Sequence, residues 1–142
     1  MRFEEVLELR RTPEEALNFI GDFRNLLLWD PNCKAARMTQ GDGLAVGTRF
    51  HIVVRFAGRD IPMDYEVREY QPGRRIVLAG RSDKARALDS ISAEPRTNGC
   101  RVTYQAEISV DGAGRLMDTA MKLLFAPTVR RGMANLRRLL GN

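Results

Sequence analysis

The stretch LMDTAMKLLFAPTVRRGMANLRRLL, residues 116–140, decides the fold, because it is the only long segment with helical periodicity. Apolar residues recur at steps of three and four in each half: Leu116, Ala120, Leu123 and Leu124, then Val129, Met133, Leu136 and Leu140. On a straight helix the two sets would point in different directions, since each residue advances about 100°. Pro127 lies between them and lacks the N–H that a helix interior needs. We therefore predict a helix bent near Pro127, with both halves facing one curved sheet. The first half either packs as core or covers a cavity.

The chain has 142 residues and is expected to form a single domain over residues 1–142. A domain of this length buries about two thirds of the surface that its unfolded chain exposes, and it can do so without disulfides or metal ions. No apolar run approaches the ~18 residues of a membrane span, and the first residues lack the apolar core of a signal peptide. These features predict a cytoplasmic protein. Cys33 and Cys100 fit no metal or redox spacing, so both are expected to be free thiols.

The formal net charge is +5, which raises the question of binding to nucleic acid or to an anionic membrane. Most arginines are interleaved with acidic residues. The densest basic cluster lies on the last helix: Arg130, Arg131, Arg137 and Arg138. Arginines near a helix C-terminus are favoured by the helix dipole, so we interpret the cluster as a solvated face and expect no nucleic acid partner.

Two short helices are predicted near the N-terminus. Thr12 caps the first helix, Pro13 takes its first position, and Glu15 completes a capping box. Pro31 ends the second helix, because a proline disfavours helical backbone in the residue before it. The second helix is predicted over Phe23–Leu28. Strands are predicted before and after the two helices, over Phe3–Arg10 and Cys33–Thr39.

Residues 48–110 read as a meander of alternating strands. Turns are predicted at Gly58-Arg59, Pro72-Gly73, Asp83-Lys84 and, as a four-residue loop, Thr97–Cys100. Two-residue turns would pair Phe50 with Val67, Val67 with Leu78, and Leu78 with Asp89. Every apolar face then falls on one side of the sheet, whereas a one-residue slip would place the faces on opposite sides. The predicted fold class is α+β: a seven-stranded antiparallel sheet curled around a long C-terminal helix, with two short helices between strands one and two.

The chain resembles the START/Bet v 1-like (SRPBCC) superfamily, the polyketide cyclase/dehydrase and lipid-transport group, from Phe3 to Leu140. The resemblance is carried by the order of several short segments: Thr12-Pro13-Glu14-Glu15, Asp22 with Trp29-Asp30-Pro31, Gly47-Thr48-Arg49-Phe50, Asp89 to Pro95 and Gly99 to Tyr104. It implies a helix-grip fold with an internal hydrophobic cavity. It does not imply one reaction, because this fold serves carriers, cyclases, hydrolases, antitoxins and allergens.

Asp89 is the most informative candidate site residue. The predicted register places its carboxyl group on the apolar face between Leu78 and Ile108, where burial costs several kcal/mol unless the group is hydrogen-bonded or protonated. The missing side chain of Gly80 would let the Tyr65 hydroxyl reach toward Asp89. This pair is either a polar anchor or acid/base pair for a ligand, or a structural Tyr–Asp hydrogen bond.

The remaining candidates are drawn from the same inner face. The predicted ligand-binding residues are Phe50, Ile52, Met63, Tyr65, Val67, Leu78, Asp89, Ile91, Ala106, Ile108, Ala120 and Leu124. Weaker polar candidates are Glu69 and Tyr104. Trp29 is interpreted as a structural plug or a stacking surface, and Leu26, Leu27 and Leu28 as part of the cavity mouth. His51 is predicted to face solvent, so no histidine triad and no metal site is expected.

Three functions remain open from the sequence. The leading hypothesis is binding or transport of a small hydrophobic molecule, such as a lipid, quinone or polycyclic aromatic, without a cofactor. The first alternative is a polyketide cyclase or dehydratase that uses Asp89 and Tyr65, although no His, Lys or Cys is predicted on the inner face. The second alternative is an antitoxin-like or ribosome-associated interaction module that uses the basic last helix.

Overall fold

The computed structural model describes residues 1–141. The elements follow the order β1 (Arg2–Leu9), α1 (Pro13–Gly21), a 3-10 turn (Phe23–Asn25), α2 (Leu26–Trp29), β2 (Cys33–Gln40), β3 (Arg49–Phe56), β4 (Arg59–Gln71), β5 (Arg75–Arg81), β6 (Ala85–Arg96), β7 (Gly99–Val110) and α3 (Arg115–Leu140). The seven strands form one antiparallel sheet in the order β1-β7-β6-β5-β4-β3-β2. The predicted helix-grip fold is confirmed.

The first helix begins as the sequence predicts. The Thr12 side chain accepts from the Glu15 backbone N–H at 3.1 Å, and the Glu15 side chain reaches back to the Thr12 backbone. The second predicted helix divides into the 3-10 turn and the one-turn helix α2. Helix α1 packs on β5, β6 and β7, and the 3-10 turn packs on β2 and β3. These short helices therefore close one end of the sheet's inner face.

Two of the predicted hairpin registers are shifted by two residues. The β3–β4 turn is Ala57-Gly58, with φ of 52° and 78°, so Phe50 pairs with Tyr65 and not with Val67. Positive φ at both positions suits the tight turn that matches strand twist. The β6–β7 loop has two residues and not four, so Asp89 pairs with Ala106 and not with Ile108. A shift of two residues preserves which face each side chain occupies.

The other two registers agree with the prediction. Leu78 pairs with Asp89 across β5–β6, and Val67 pairs with Leu78 across β4–β5. The β4–β5 loop is one residue longer than predicted. A bulge between Val67 and Glu69 compensates for the extra residue and preserves the pairing of Val67 with Leu78.

Helix α3 runs through Pro127 without a break in helical structure. Its second half buries Gly132, Met133, Leu136 and Leu140. The apolar set predicted for its first half points outward, with Leu116 89%, Leu123 71% and Leu124 59% exposed. No helix among residues 1–141 is long and apolar enough to cross a membrane. Cys33 and Cys100 are free thiols, as predicted.

Candidate functional site

A cavity of about 220 Å³ lies between α3 and the inner face of the sheet. The wall is predominantly apolar. The sheet contributes Ile52, Met63, Ala87, Ala106 and Ile108, and the helix contributes Met121, Phe125, Val129 and Met133. A mostly apolar cavity with a few polar groups is the usual form of a small-molecule site.

Asp89 provides the central polar group of the cavity. Its side chain lines the wall and is only 8% exposed, and the Tyr104 hydroxyl donates to its Oδ2 at 2.5 Å. Burial raises the pKa of Asp89 to about 7, the Tyr104 hydrogen bond lowers it in part, and the charge of Asp30 raises it further. A carboxyl group with this pKa exchanges its proton near neutral pH.

The hydrogen-bond partner of Asp89 differs from the predicted one, Tyr65. Tyr104, and not Tyr65, makes the hydrogen bond, because the two-residue shift between β6 and β7 places Tyr104 diagonally beside Asp89. The glycine gap is real, since Tyr65 pairs with Gly80 and a Cβ on Gly80 would lie 2.5 Å from Tyr65 Cε1. Tyr65 thus occupies the space above Gly80. Burial and the charge of Asp89 raise its pKa well above the usual value.

One atom of Asp89 remains available to a ligand. Tyr104 occupies Oδ2, and no described residue hydrogen-bonds to Oδ1. Among residues 1–141, the only side-chain polar atom that is both buried and unpaired is Trp29 Nε1. Asp89 Oδ1 and the Tyr65 hydroxyl, which also has no partner in the described chain, are therefore accessible from the cavity.

Two further carboxyl groups line the cavity and were not predicted. Asp30 follows α2, and its Oδ1 accepts from the Asn32 backbone N–H at 2.9 Å. Burial raises the pKa of Asp30 above its usual value. Glu5 lies on β1 opposite Tyr104. The alternation of β1 carries the signal for Glu5, because Leu7 and Leu9 are buried and Glu5 is two residues before Leu7.

Trp29 joins the cavity wall to α3. Its ring packs edge to face on Tyr104, with centroids 6.1 Å apart, and its backbone carbonyl accepts from Asn135 Nδ2 at 2.9 Å. The ring also lies close to Gly132, where a Cβ would sit 3.4 Å from Trp29 Cε3. Trp29 thus packs against α3, as expected of a structural plug, and also lines the cavity. Its stacking on a ligand stays a prediction.

Three aromatic rings meet between α3 and the sheet, in the wall of the cavity. Phe125 of α3 stacks on Phe56 of β3, with centroids 4.0 Å apart and an interplanar angle of 3°. Phe3 of β1 meets the same Phe125 ring edge to face at 6.5 Å. All three rings line the cavity. Phe125 thus links α3 to β1 and to β3 beside the cavity.

The structure divides the predicted lining residues into three groups. Ile52, Met63, Tyr65, Asp89, Ala106 and Ile108 line the cavity. Four others lie in closed core and not in the wall, because the short helices cover their end of the sheet: Phe50, Val67, Leu78 and Ile91. Ala120 and Leu124 point to solvent. The inward face of α3 continues from Met133 back through Val129, Phe125 and Met121, since the helix is continuous through Pro127.

The remaining candidates lie mostly outside the cavity. Leu26 lines it, whereas Leu27 and Leu28 are exposed. Glu69 accepts from Arg75 Nε at 2.9 Å, away from the wall. His51 Nδ1 lies 2.8 Å from Asp64 Oδ1 on the other face of the sheet. Within residues 1–141, no group of three His, Cys, Asp or Glu side chains is placed to hold a metal ion.

The family profile described as "Polyketide cyclase / dehydrase and lipid transport" matches residues 1–141. No curated protein matches the sequence.

Solved structures similar to this chain include a START superfamily protein from Mycobacterium smegmatis, with a TM-score of 0.76, 15% identity and coverage of 98% of this chain and 96% of that one. The Zhui aromatase/cyclase from a Streptomyces species gives a TM-score of 0.76 at 10% identity, covering 98% and 95%. A STAR-related lipid transfer protein from Xanthomonas axonopodis gives 0.63 at 17% identity, covering 96% and 85%. At these identities the likeness shows the fold alone.

Proposed function

Since the chain belongs to the polyketide cyclase/dehydrase and lipid transport family, we propose that it binds a small hydrophobic ligand between α3 and the sheet. The supporting observation is the cavity of about 220 Å³ with its largely apolar wall. An apolar cavity of about 150 Å³ holds benzene, and drug-sized ligands occupy roughly 300 Å³ or more. The volume therefore suits a bicyclic aromatic ring system or a short alkyl chain better than a whole phospholipid.

Binding of the neutral naphthalene dye prodan, whose emission shifts to the blue in apolar surroundings, tests this proposal. The wild-type protein should give a saturable blue shift. Ala106→Phe should abolish it, because Ala106 lines the cavity and the added ring would fill it. Ala134→Phe is the matched control, since Ala134 lies on the exposed face of α3. Dye binding by Ala106→Phe as strong as that by Ala134→Phe would place the dye elsewhere and refute the proposal.

If the proposal holds, native mass spectrometry of protein purified from its own host would identify a co-purifying ligand.

Asp89 and Tyr104 favour a second candidate function, a cyclase or dehydratase that moves a proton on an enolisable ligand. The observation in its favour is the accessible carboxyl group with a pKa of about 7, held by a tyrosine hydroxyl. A bicyclic ketone, 2-tetralone, is a suitable probe, because deuterium exchange at its α-carbons follows enolisation by NMR. Catalysis predicts exchange above background that Asp89→Asn abolishes and Glu94→Gln retains. If the wild-type protein does not accelerate the exchange above the uncatalysed rate, catalysis is excluded for this probe and ligand binding stays the proposed function.

A further inference from the structure

The charge of the cavity is opposite to that of the chain. The sequence has 23 Lys and Arg residues against 18 Asp and Glu. Among residues 1–141, however, the cavity is lined by the carboxyl groups of Glu5, Asp30 and Asp89 and by no Lys, Arg or His side chain. Met1 also lines it, but its ammonium group is bound to Asp118 Oδ1 at 2.7 Å and to the Ile108 carbonyl. The cavity thus contains acidic groups without a cation to pair with Asp89.

We propose, on the basis of the binding function proposed above, that the ligand is a hydrophobic amine, an aromatic or alkyl group that carries one ammonium. The ammonium would donate to Asp89 Oδ1, the oxygen that Tyr104 leaves available. The Tyr65 hydroxyl, which is unpaired among the described residues, would accept a second N–H. The apolar part of the molecule would pack against Met121, Phe125 and the inner face of the sheet.

The same groups disfavour an anionic ligand such as a fatty acid. Its carboxylate would be buried beside acidic side chains with no cationic side chain to compensate it, and like charges in one site oppose each other's ionisation. A neutral alcohol avoids this repulsion and can hydrogen-bond to Asp89, but it carries no positive charge and so cannot form the ion pair that an ammonium forms with the carboxylate. An opposite charge within about 4–6 Å favours the ionised form of a carboxylate by roughly 10- to 1000-fold. The expected order of affinity is amine, then alcohol, then carboxylate.

The surroundings of Asp89 on each neighbouring element are consistent with this order. Tyr104 lies on β7, Tyr65 on β4 and Asp30 after α2. Glu5 of β1 pairs with Tyr104 across the sheet, while the residues that α3 presents to the cavity are not ionisable. Burial raises the pKa values of both Asp89 and Asp30. A bound ammonium would lower both, so amine binding should release a proton near neutral pH.

Isothermal titration calorimetry with three ligands of one ring system tests the inference: 1-naphthylmethylamine, 1-naphthylmethanol and 1-naphthoate. At pH 8 the amine should bind wild-type protein about tenfold or more tightly than the alcohol, because only the amine forms an ion pair with the ionised Asp89. Asp89→Asn should remove that preference and leave the affinity for the alcohol within about threefold, because the amide keeps the shape and still accepts from Tyr104. Glu94→Gln, an exposed change on the same strand, should behave as wild type.

A pH series on the wild-type protein provides the same test without a variant. Between pH 8 and pH 6 the ionised fraction of a group with a pKa of about 7 falls about tenfold, so amine affinity should fall about tenfold. Alcohol affinity should fall much less, because a hydroxyl can accept a hydrogen bond from the protonated carboxyl group as well as donate to the ionised one. Alcohol binding that equals or exceeds amine binding at pH 8, or an amine preference retained in Asp89→Asn, would overturn the inference and leave the proposed function intact. Failure of the wild-type protein to bind both amine and alcohol would overturn the proposed function as well.

Discussion

The Tyr104 hydroxyl donates to Asp89 Oδ2 at 2.5 Å across the β6–β7 pair, inside a cavity whose wall is otherwise largely apolar. Both residues are buried. The pair therefore combines the hydrogen bond that lets a carboxyl group remain inside the protein with one oxygen that stays available for a ligand.

Removal of the Tyr104 hydroxyl should destabilise the protein more at high pH than at low pH. At pH 8 the ionised Asp89 loses a donor, which costs about 1.5–3 kcal/mol, whereas at pH 5 the protonated group loses a neutral bond worth about 0.5–1.5 kcal/mol. Urea unfolding of Tyr104→Phe at the two pH values measures the difference. Tyr70→Phe is the control, because the Tyr70 hydroxyl donates to the neutral Asn18 side chain at 2.7 Å and its loss should not depend on pH. A Tyr104→Phe cost that is the same at both pH values would contradict the expectation.

Asp89 should make the protein less stable as the pH rises from about 4 to about 7. Folding raises its pKa from the ordinary value of 3.8 to about 7, so the folded state binds more protons in this window and stability falls with rising pH. This rise corresponds to at most about 4 kcal/mol. Asp89→Asn removes the decline, so the free energy of unfolding of the variant should increase relative to that of the wild type as pH increases. Parallel curves for the two proteins between pH 4 and pH 8 would mean that Asp89 has an ordinary pKa.

Gly80→Ala should destabilise the protein by about 1–3 kcal/mol, the usual cost of overpacking a core. The new Cβ would lie 2.5 Å from Tyr65 Cε1 and 2.6 Å from Cζ. Replacing Tyr65 with Leu in the same protein should recover part of the loss, so a double-mutant cycle by thermal unfolding should give a coupling of about 0.5 kcal/mol or more. Additive effects of the two changes would show that the ring moves aside without cost.

Phe125→Ala should speed both the entry and the release of a cavity ligand, because it removes the ring that stacks on Phe56 at 4.0 Å. Stopped-flow fluorescence with prodan measures both rates. Leu124→Ala is the matched control on the same helical turn, since Leu124 is 59% exposed and its truncation should change neither rate and should alter stability by less than about 0.5 kcal/mol. Exchange in Leu124→Ala as fast as in Phe125→Ala would show that the Phe125 ring is not the barrier.

The sheet can be predicted from the sequence because a strand has a side-chain period of two. The predicted β3–β4 and β6–β7 registers are each wrong by two residues, yet Asp89, Met63 and Ala106 still fall on the predicted face. A shift of two residues does, however, change which side chains lie next to each other. Tyr104 replaces Tyr65 as the partner of Asp89 because one loop has two residues instead of four.

The face of α3 is harder to predict, because it depends on whether Pro127 rotates the helix. Both halves contain apolar rows, and a bend at the proline would reconcile them. In the structure the inward row of the second half, Met133 and Val129, continues in the first half through Phe125 and Met121. Ala120 and Leu124 then face outward. The position of Asp30 in the cavity wall was not predicted for another reason. In the sequence, its place before Pro31 indicates only the end of a helix.

The Tyr65 ring fills the space that a side chain at position 80 would occupy, so the two positions constrain each other in evolution. Neither position can change freely while the other stays, because a larger residue at 80 collides with the ring and a smaller one at 65 leaves a void above the glycine. The two positions should therefore covary among relatives, with a bulky residue at one matched by a small residue at the other. Such paired exchanges would change the shape of the protein interior beside Asp89, while the strands keep their register.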